Sequence, residues 1–243
     1  MCGCSALTAL PESLGDMRCL RNLELGYCPK LTTLPESLGT LQTLECLDAS
    51  PGNGFVRMPD SLGHLSALKI LDLSGCGALT GLPPTLGQLA ALETLRLSYC
   101  RALTALPTSI GRLPVLGHLH LHSCEQLTAL PASLGQITSL KTLSIEWCER
   151  LATLPESLGL LTGLDDYSVS LFGCTTIPPA IAQWYHGLSA ANRELAQLRA
   201  SQLCLVLLGM RRARPRLPPE LWNLVDQALV QSQWPARRYP PGA

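Results

Sequence analysis

Leu140–Gly163, LKTLSIEWCERLATLPESLGLLTG, is one copy of a unit that recurs every 24 residues through most of the chain. Cys4, Cys28, Cys76, Cys100, Cys124 and Cys148 mark the period, and Gly52 stands at the one skipped beat. Six residues after each marker comes Leu-Pro, at Leu10-Pro11, Leu34-Pro35, Leu82-Pro83, Leu106-Pro107, Leu130-Pro131 and Leu154-Pro155; Met58-Pro59 fills the copy with the glycine. A fixed period of this length stacks its units side by side, because one unit cannot bury its own leucines and neighbours can.

Inside the unit, Leu143 and Ile145 alternate with Ser144 and Glu146, so a short strand puts the apolar pair on one face and the polar pair on the other. Parallel strands need a long return connection, which the rest of each unit supplies through the turn around P-x-S-L-G. Pro155 presets φ for that turn, and Gly159 is expected to supply an unusual backbone angle. Constant leucine offsets at this period predict an α/β leucine-rich-repeat solenoid, a horseshoe with a parallel concave sheet. The marker cysteines fit a structural role at the strand exit, where a small, weakly hydrogen-bonding side chain is buried. Their regular spacing is unlike a disulfide framework.

The chain has 243 residues, is 47% apolar, and has formal net charge +0. That balance gives no electrostatic reason to expect nucleic acid or a membrane as partner. No charged segment followed by an apolar core opens the sequence, so no signal peptide is expected. The longest apolar run, Leu203–Leu208, is far shorter than a membrane helix. These features lead to the expectation of a cytoplasmic protein.

Residues 1–187 are expected to form about seven repeats. Residues 1–19 are the back half of a unit without a polar cap, which predicts that the chain is cut from something longer or part of a multidomain protein; otherwise a monomer is expected. Strands are expected from Leu20, Leu44, Leu68, Leu92, Leu116, Leu140 and Leu164. Pro51-Gly52-Asn53-Gly54 replaces one strand exit and predicts a looser loop. The copy from Leu164 drifts, with Tyr167, Val169 and Phe172 expected in core positions and Ile177-Pro178 one residue early. Residues 188–234 are expected to be a C-terminal helical cap, one helix entered at Ser189 and a second at Leu217-Pro218-Pro219-Glu220. Residues 235–243 are expected to be a disordered tail.

The strand positions that face away from the leucines differ most between copies. The central one is Glu24, Asp48, Asp72, Arg96, His120, Ser144 and Ser168; the next is Gly26, Ser50, Ser74, Ser98, His122, Glu146 and Ser170. Beyond these lie Tyr27, Tyr99 and Trp147. Aromatics beside charges are what a protein-binding face offers. The predicted binding residues are therefore Glu24, Tyr27, Asp48, Asp72, Arg96, Tyr99, His118, His120, His122, Glu146 and Trp147. His118, His120 and His122 share one strand face, but the outer pair lies roughly 13 Å apart at the Cα, too far for one ion. No metal or cofactor is expected. G-x-S-x-G and a phosphate-cradling glycine loop are absent, so no enzyme is expected.

The copies LDLSGCGALTGLPPTLGQL and LRLSYCRALTALPTSIGRL closely resemble leucine-rich repeats of plant-type intracellular disease-resistance receptors that carry a nucleotide-binding domain. The resemblance spans roughly residues 4–181. It implies a sensor portion that recognises a pathogen effector or a guarded host protein, in defence or signalling. The stretch from Leu217 to Leu221, followed by Val225 and Leu229, is similar to the opening helix of an F-box, which implies an alternative role as a substrate adaptor of a ubiquitin ligase.

Overall fold

The structure, a computed structural model, describes residues 4–161, 163–164 and 169–177. Six three-residue strands form one parallel sheet in chain order: β1 (Asn22–Glu24), β2 (Cys46–Asp48), β3 (Ile70–Asp72), β4 (Thr94–Arg96), β5 (His118–His120) and β6 (Thr142–Ser144). Each pairs with the next at an offset of one full unit, so Leu47, Leu71, Leu95, Leu119 and Leu143 form a single buried row. This in-step register is what the constant leucine offsets demand, since a slip by one residue would turn every leucine to solvent. The leucine-rich-repeat solenoid expected from the period is the fold observed.

Opposite the sheet run seven 3-10 turns, from Glu12–Asp16 to Glu156–Leu160. Each follows a proline in extended conformation, as at Pro107, φ −66°. Proline fixes φ and removes an N–H that would have no partner at a helix start. Leu38, Leu62, Leu86, Ile110 and Leu134 point from these turns into the core and are fully buried.

The glycine of P-x-S-L-G has a different purpose from the one its sequence suggests. Only Gly52, Gly75 and Gly173 among the described glycines have positive φ. At Gly111 a Cβ would lie 2.4 Å from the Ser133 carbonyl oxygen, and at Gly135 2.3 Å from that of Ser157. The glycines let the backbones of successive 3-10 turns stack closely; Gly159 is the last of this row and also lies outside the positive-φ set.

The marker cysteines form a thiol ladder. Cys100 Sγ donates to the Leu73 carbonyl at 3.2 Å, Cys124 to that of Leu97 at 3.2 Å, and Cys148 to that of Leu121 at 3.2 Å. Each of these carbonyls also accepts the N–H of the cysteine in its own copy, so both lone pairs are used. All are free thiols.

At the skipped beat the chain is anchored, not loose. Asn53 is buried; its Oδ1 accepts the Cys28 N–H at 3.0 Å and its Nδ2 donates to the Ala49 carbonyl. Phe55 is fully buried in the column that holds leucine in other copies, while Gly52 itself is exposed.

The last described copy also departs from expectation. Trp147 N–H donates to the Phe172 carbonyl at 2.8 Å, as Ser123 N–H does to that of Glu146. Phe172 therefore occupies the outward slot of Glu146, two residues later than the period, and is exposed, not in the core. Cys174 donates to the Ile145 carbonyl, and Ile177 N–H to that of Cys174 as Leu151 N–H does to that of Cys148. Ile177 thus fills the column of Leu151, so Ile177-Pro178 is not the Leu-Pro of this copy. Val169 is buried as expected, and Tyr167 lies outside the described residues. So do the boundary at 187, the two helices, the tail and the F-box-like stretch.

Candidate protein-binding face

Three columns of side chains cover the solvent side of the sheet, set by the alternation along each strand. Strand pairing aligns Glu24, Asp48, Asp72, Arg96, His120 and Ser144 as the central column. His118 belongs to the column before it, with Asn22, Cys46, Ile70, Thr94 and Thr142. Apart from His118 its members share no chemical type, and the two-residue alternation alone identifies the column. His122 and Glu146 stand in the third column, beside Ser50, Ser74 and Ser98.

Local contacts hold the central column in place. Asp48 Oδ1 accepts the Ser50 N–H at 2.9 Å and hydroxyl at 2.6 Å, and Asp72 Oδ1 accepts the Ser74 N–H at 2.9 Å. Arg96 reaches Asp72 Oδ2 at 3.5 Å, a long pair between a half-exposed guanidinium and a mostly covered carboxylate. No cation pairs with Glu24 or Asp48 among the described residues.

Each of the three histidines is tied to the following strand, and the rings of His118 and His120 also lie parallel, 6.5 Å apart between centroids. His118 Nδ1 meets Thr142 Oγ1 at 3.1 Å, His120 Nδ1 meets Ser144 Oγ at 3.2 Å, and His122 Nδ1 lies 3.7 Å from Glu146 Oε2. Burial pushes the His120 pKa down, helped by the charge of Arg96 and by His118, so its imidazole favours the neutral form. Among the described residues no group of three or more His, Cys, Asp or Glu is placed to hold a metal ion.

Tyr27, Tyr99 and Trp147 line one margin of this face, at the residue where each chain leaves the sheet. They have φ of 59°, 63° and 60°, and Ser123 has 58° at the equivalent place. Tyr27 is 53% exposed, Tyr99 50% and Trp147 44%, so the strained backbone holds aromatic surface in solvent. Tyr99 meets His122 edge-on at 5.2 Å between ring centroids, and Trp147 meets Phe172 at 5.0 Å. Trp147 also covers the backbone of Gly173, where a Cβ would lie 2.6 Å from its ring. Its role is thus partly structural, whereas Tyr99 packs only on the His122 ring and stays half exposed, as does Tyr27. Phe172, 67% exposed, follows Glu146 in the third column beside Trp147, a slot that the two-residue insertion hides in the sequence.

Residues 60–177 match the family model described as "Leucine-rich repeat region". Among solved structures, the leucine-rich repeat domain of the type III effector XopL is 24% identical, with a TM-score of 0.54, covering 73% of this chain and 70% of that one. A chain in the Toll–Spätzle complex of Drosophila is 21% identical, with a TM-score of 0.55, covering 71% of this chain; the match spans only 26% of that chain. Both similarities concern the fold. No curated protein matches the sequence. A solenoid of this kind is generally a scaffold for protein–protein interaction, not for catalysis.

Proposed function

We propose that this chain is a non-catalytic recognition module that binds another protein on the solvent face of its sheet, the face a horseshoe of repeats turns inward. The carrying observation is the aromatic margin. Bulky residues at positive φ are uncommon, and the left-handed conformation costs roughly 1–2 kcal/mol for an L-residue. Gly75 and Gly173 make the same turn without that cost. Tyr27 and Tyr99 make it while leaving about half of each ring in solvent. Strain kept at a residue that stays half exposed points to use of that residue, and exposed tyrosine beside charge is the composition of interface anchors.

The repeat wording of LDLSGCGALTGLPPTLGQL supports a role like that of the sensor repeats of plant intracellular resistance receptors, in defence or signalling. A cytoplasmic setting accords with a ladder of free thiols, which persists where disulfides are disfavoured. The test is affinity capture from native cells with the wild type and with Arg96, His120 and Trp147 changed together to Ala. Proteins lost in the triple variant, with the circular dichroism spectrum unchanged, support the reading. An unchanged set of captured proteins rejects it.

A further inference from the structure

The central column changes sign along the solenoid. Glu24, Asp48 and Asp72 stand side by side on β1 to β3, then Arg96 and His120 follow on β4 and β5. Strand neighbours lie about 4.8 Å apart, so like charges sit close together at the first end with Glu24 and Asp48 lacking a cation. Cys46, in the adjacent column, lies in their field: burial raises its pKa first, and Asp48, Glu24 and Asp72 each raise it further, against a lowering by Arg96. Cys46 and Ile70 are half-buried beside the carboxylates and offer an apolar strip along which the stem of a long basic side chain can lie. At the other end, Arg96 is tied to Asp72 only by a long 3.5 Å contact and its guanidinium is half exposed, open to a partner's carboxylate. The Nδ1 atoms of His118 and His120 meet hydroxyls of the next strand, which leaves their Nε2 atoms directed away from those contacts.

We propose that the sheet face takes an extended polypeptide segment laid across the strands, with lysine or arginine side chains over β1 and β2 and a carboxylate over β4 and β5. This rests on the reading of the face as a protein-binding surface and specifies the charge order of what it binds. From β1 to β5 is roughly 19 Å, the length of about six extended residues. A nucleic acid does not fit this pattern, because its backbone would meet the uncompensated carboxylates of Glu24 and Asp48.

The test uses the full chain and fluorescein-labelled heptapeptides of one composition, followed by anisotropy. One probe carries its charges in blocks, Lys-Ser-Lys-Ser-Glu-Ser-Glu, and is made in both chain directions; the other alternates them, Lys-Ser-Glu-Ser-Lys-Ser-Glu. The expected result is that one block probe binds at least about fivefold tighter than the alternating probe, the sum of two or three exposed ion pairs, and that added salt erases the difference. The variant carrying Glu24→Lys and Asp48→Lys abolishes the preference, and Arg96→Glu weakens it, both with unchanged circular dichroism. Equal binding of block and alternating probes, or no binding of either, overturns the charge order. The capture experiment with the Arg96, His120 and Trp147 variant is independent of these probes, so loss of the charge order and loss of the binding face are separately visible.

Discussion

Ser123 makes the same turn as Tyr99 and Trp147, at φ 58°, with a side chain that contributes no aromatic surface. It isolates the cost of the left-handed backbone. Ser123→Gly is expected to raise stability by about 0.5 kcal/mol or more, the relief of strain less the greater freedom of glycine in the unfolded chain. Urea unfolding monitored by circular dichroism measures it, and a loss of stability would mean that the turn is unstrained. A second residue-scale expectation concerns the thiols. Burial pushes Cys76 and Cys148 up to about 12 and raises Cys100 and Cys124 for the same reason. The thiolate is the reactive form, so alkylation at pH 8 followed by peptide mass mapping should modify exposed Cys4 and Cys19 and leave these four untouched. Modification of Cys100 in the folded protein would break the ladder account. The cysteine role was legible in the sequence because the period itself separates a structural column from a disulfide framework. The role of Asn53 was not, because its Nδ2 takes the place of a marker's backbone N–H on the Ala49 carbonyl, by side-chain geometry that spacing does not reveal.

The 3-10 turns carry the clearest element-scale contrast. Gly111→Ala would place a Cβ against the Ser133 carbonyl, and the backbone of one of two stacked turns would have to yield. A destabilisation of about 1–3 kcal/mol is expected. Gly81→Ala meets nothing within 4 Å and has no positive φ, so it should be neutral or stabilising by a few tenths of a kcal/mol. Thermal melts of the two variants decide, and equal effects would contradict a close-approach role for the glycine row. Reading one unit alone suggested a special backbone angle at this glycine. The real constraint lies between units, where turn meets turn, and sequence order within a copy does not display it. The strands were legible for the opposite reason: leucine alternation and the unit offset together leave one register that buries every Leu.

At the scale of the molecule, a solenoid spreads its stability over nearest-neighbour contacts, which leaves the solvent face of the sheet free to vary. The eleven residues proposed from sequence all stand on that face or its margin, because the period carried their placement along with the fold. What stayed hidden was the apolar strip of Cys46 and Ile70, which has no shared chemistry to mark it, and Phe172, displaced by the insertion in the last copy. The acidic end, the arginine and histidine end and the aromatic margin lie on one surface, and the margin separates display from packing most sharply. The decisive measurement is therefore made on a variant carrying Tyr27→Gly and Tyr99→Gly, with unfolding free energy and affinity capture determined on the same preparation. The account predicts stability unchanged or raised by up to about 1 kcal/mol, because glycine relieves the positive φ, together with loss of captured proteins. A variant that is clearly less stable yet captures the same proteins as the wild type would contradict it, and would make the tyrosines packing residues instead of recognition residues.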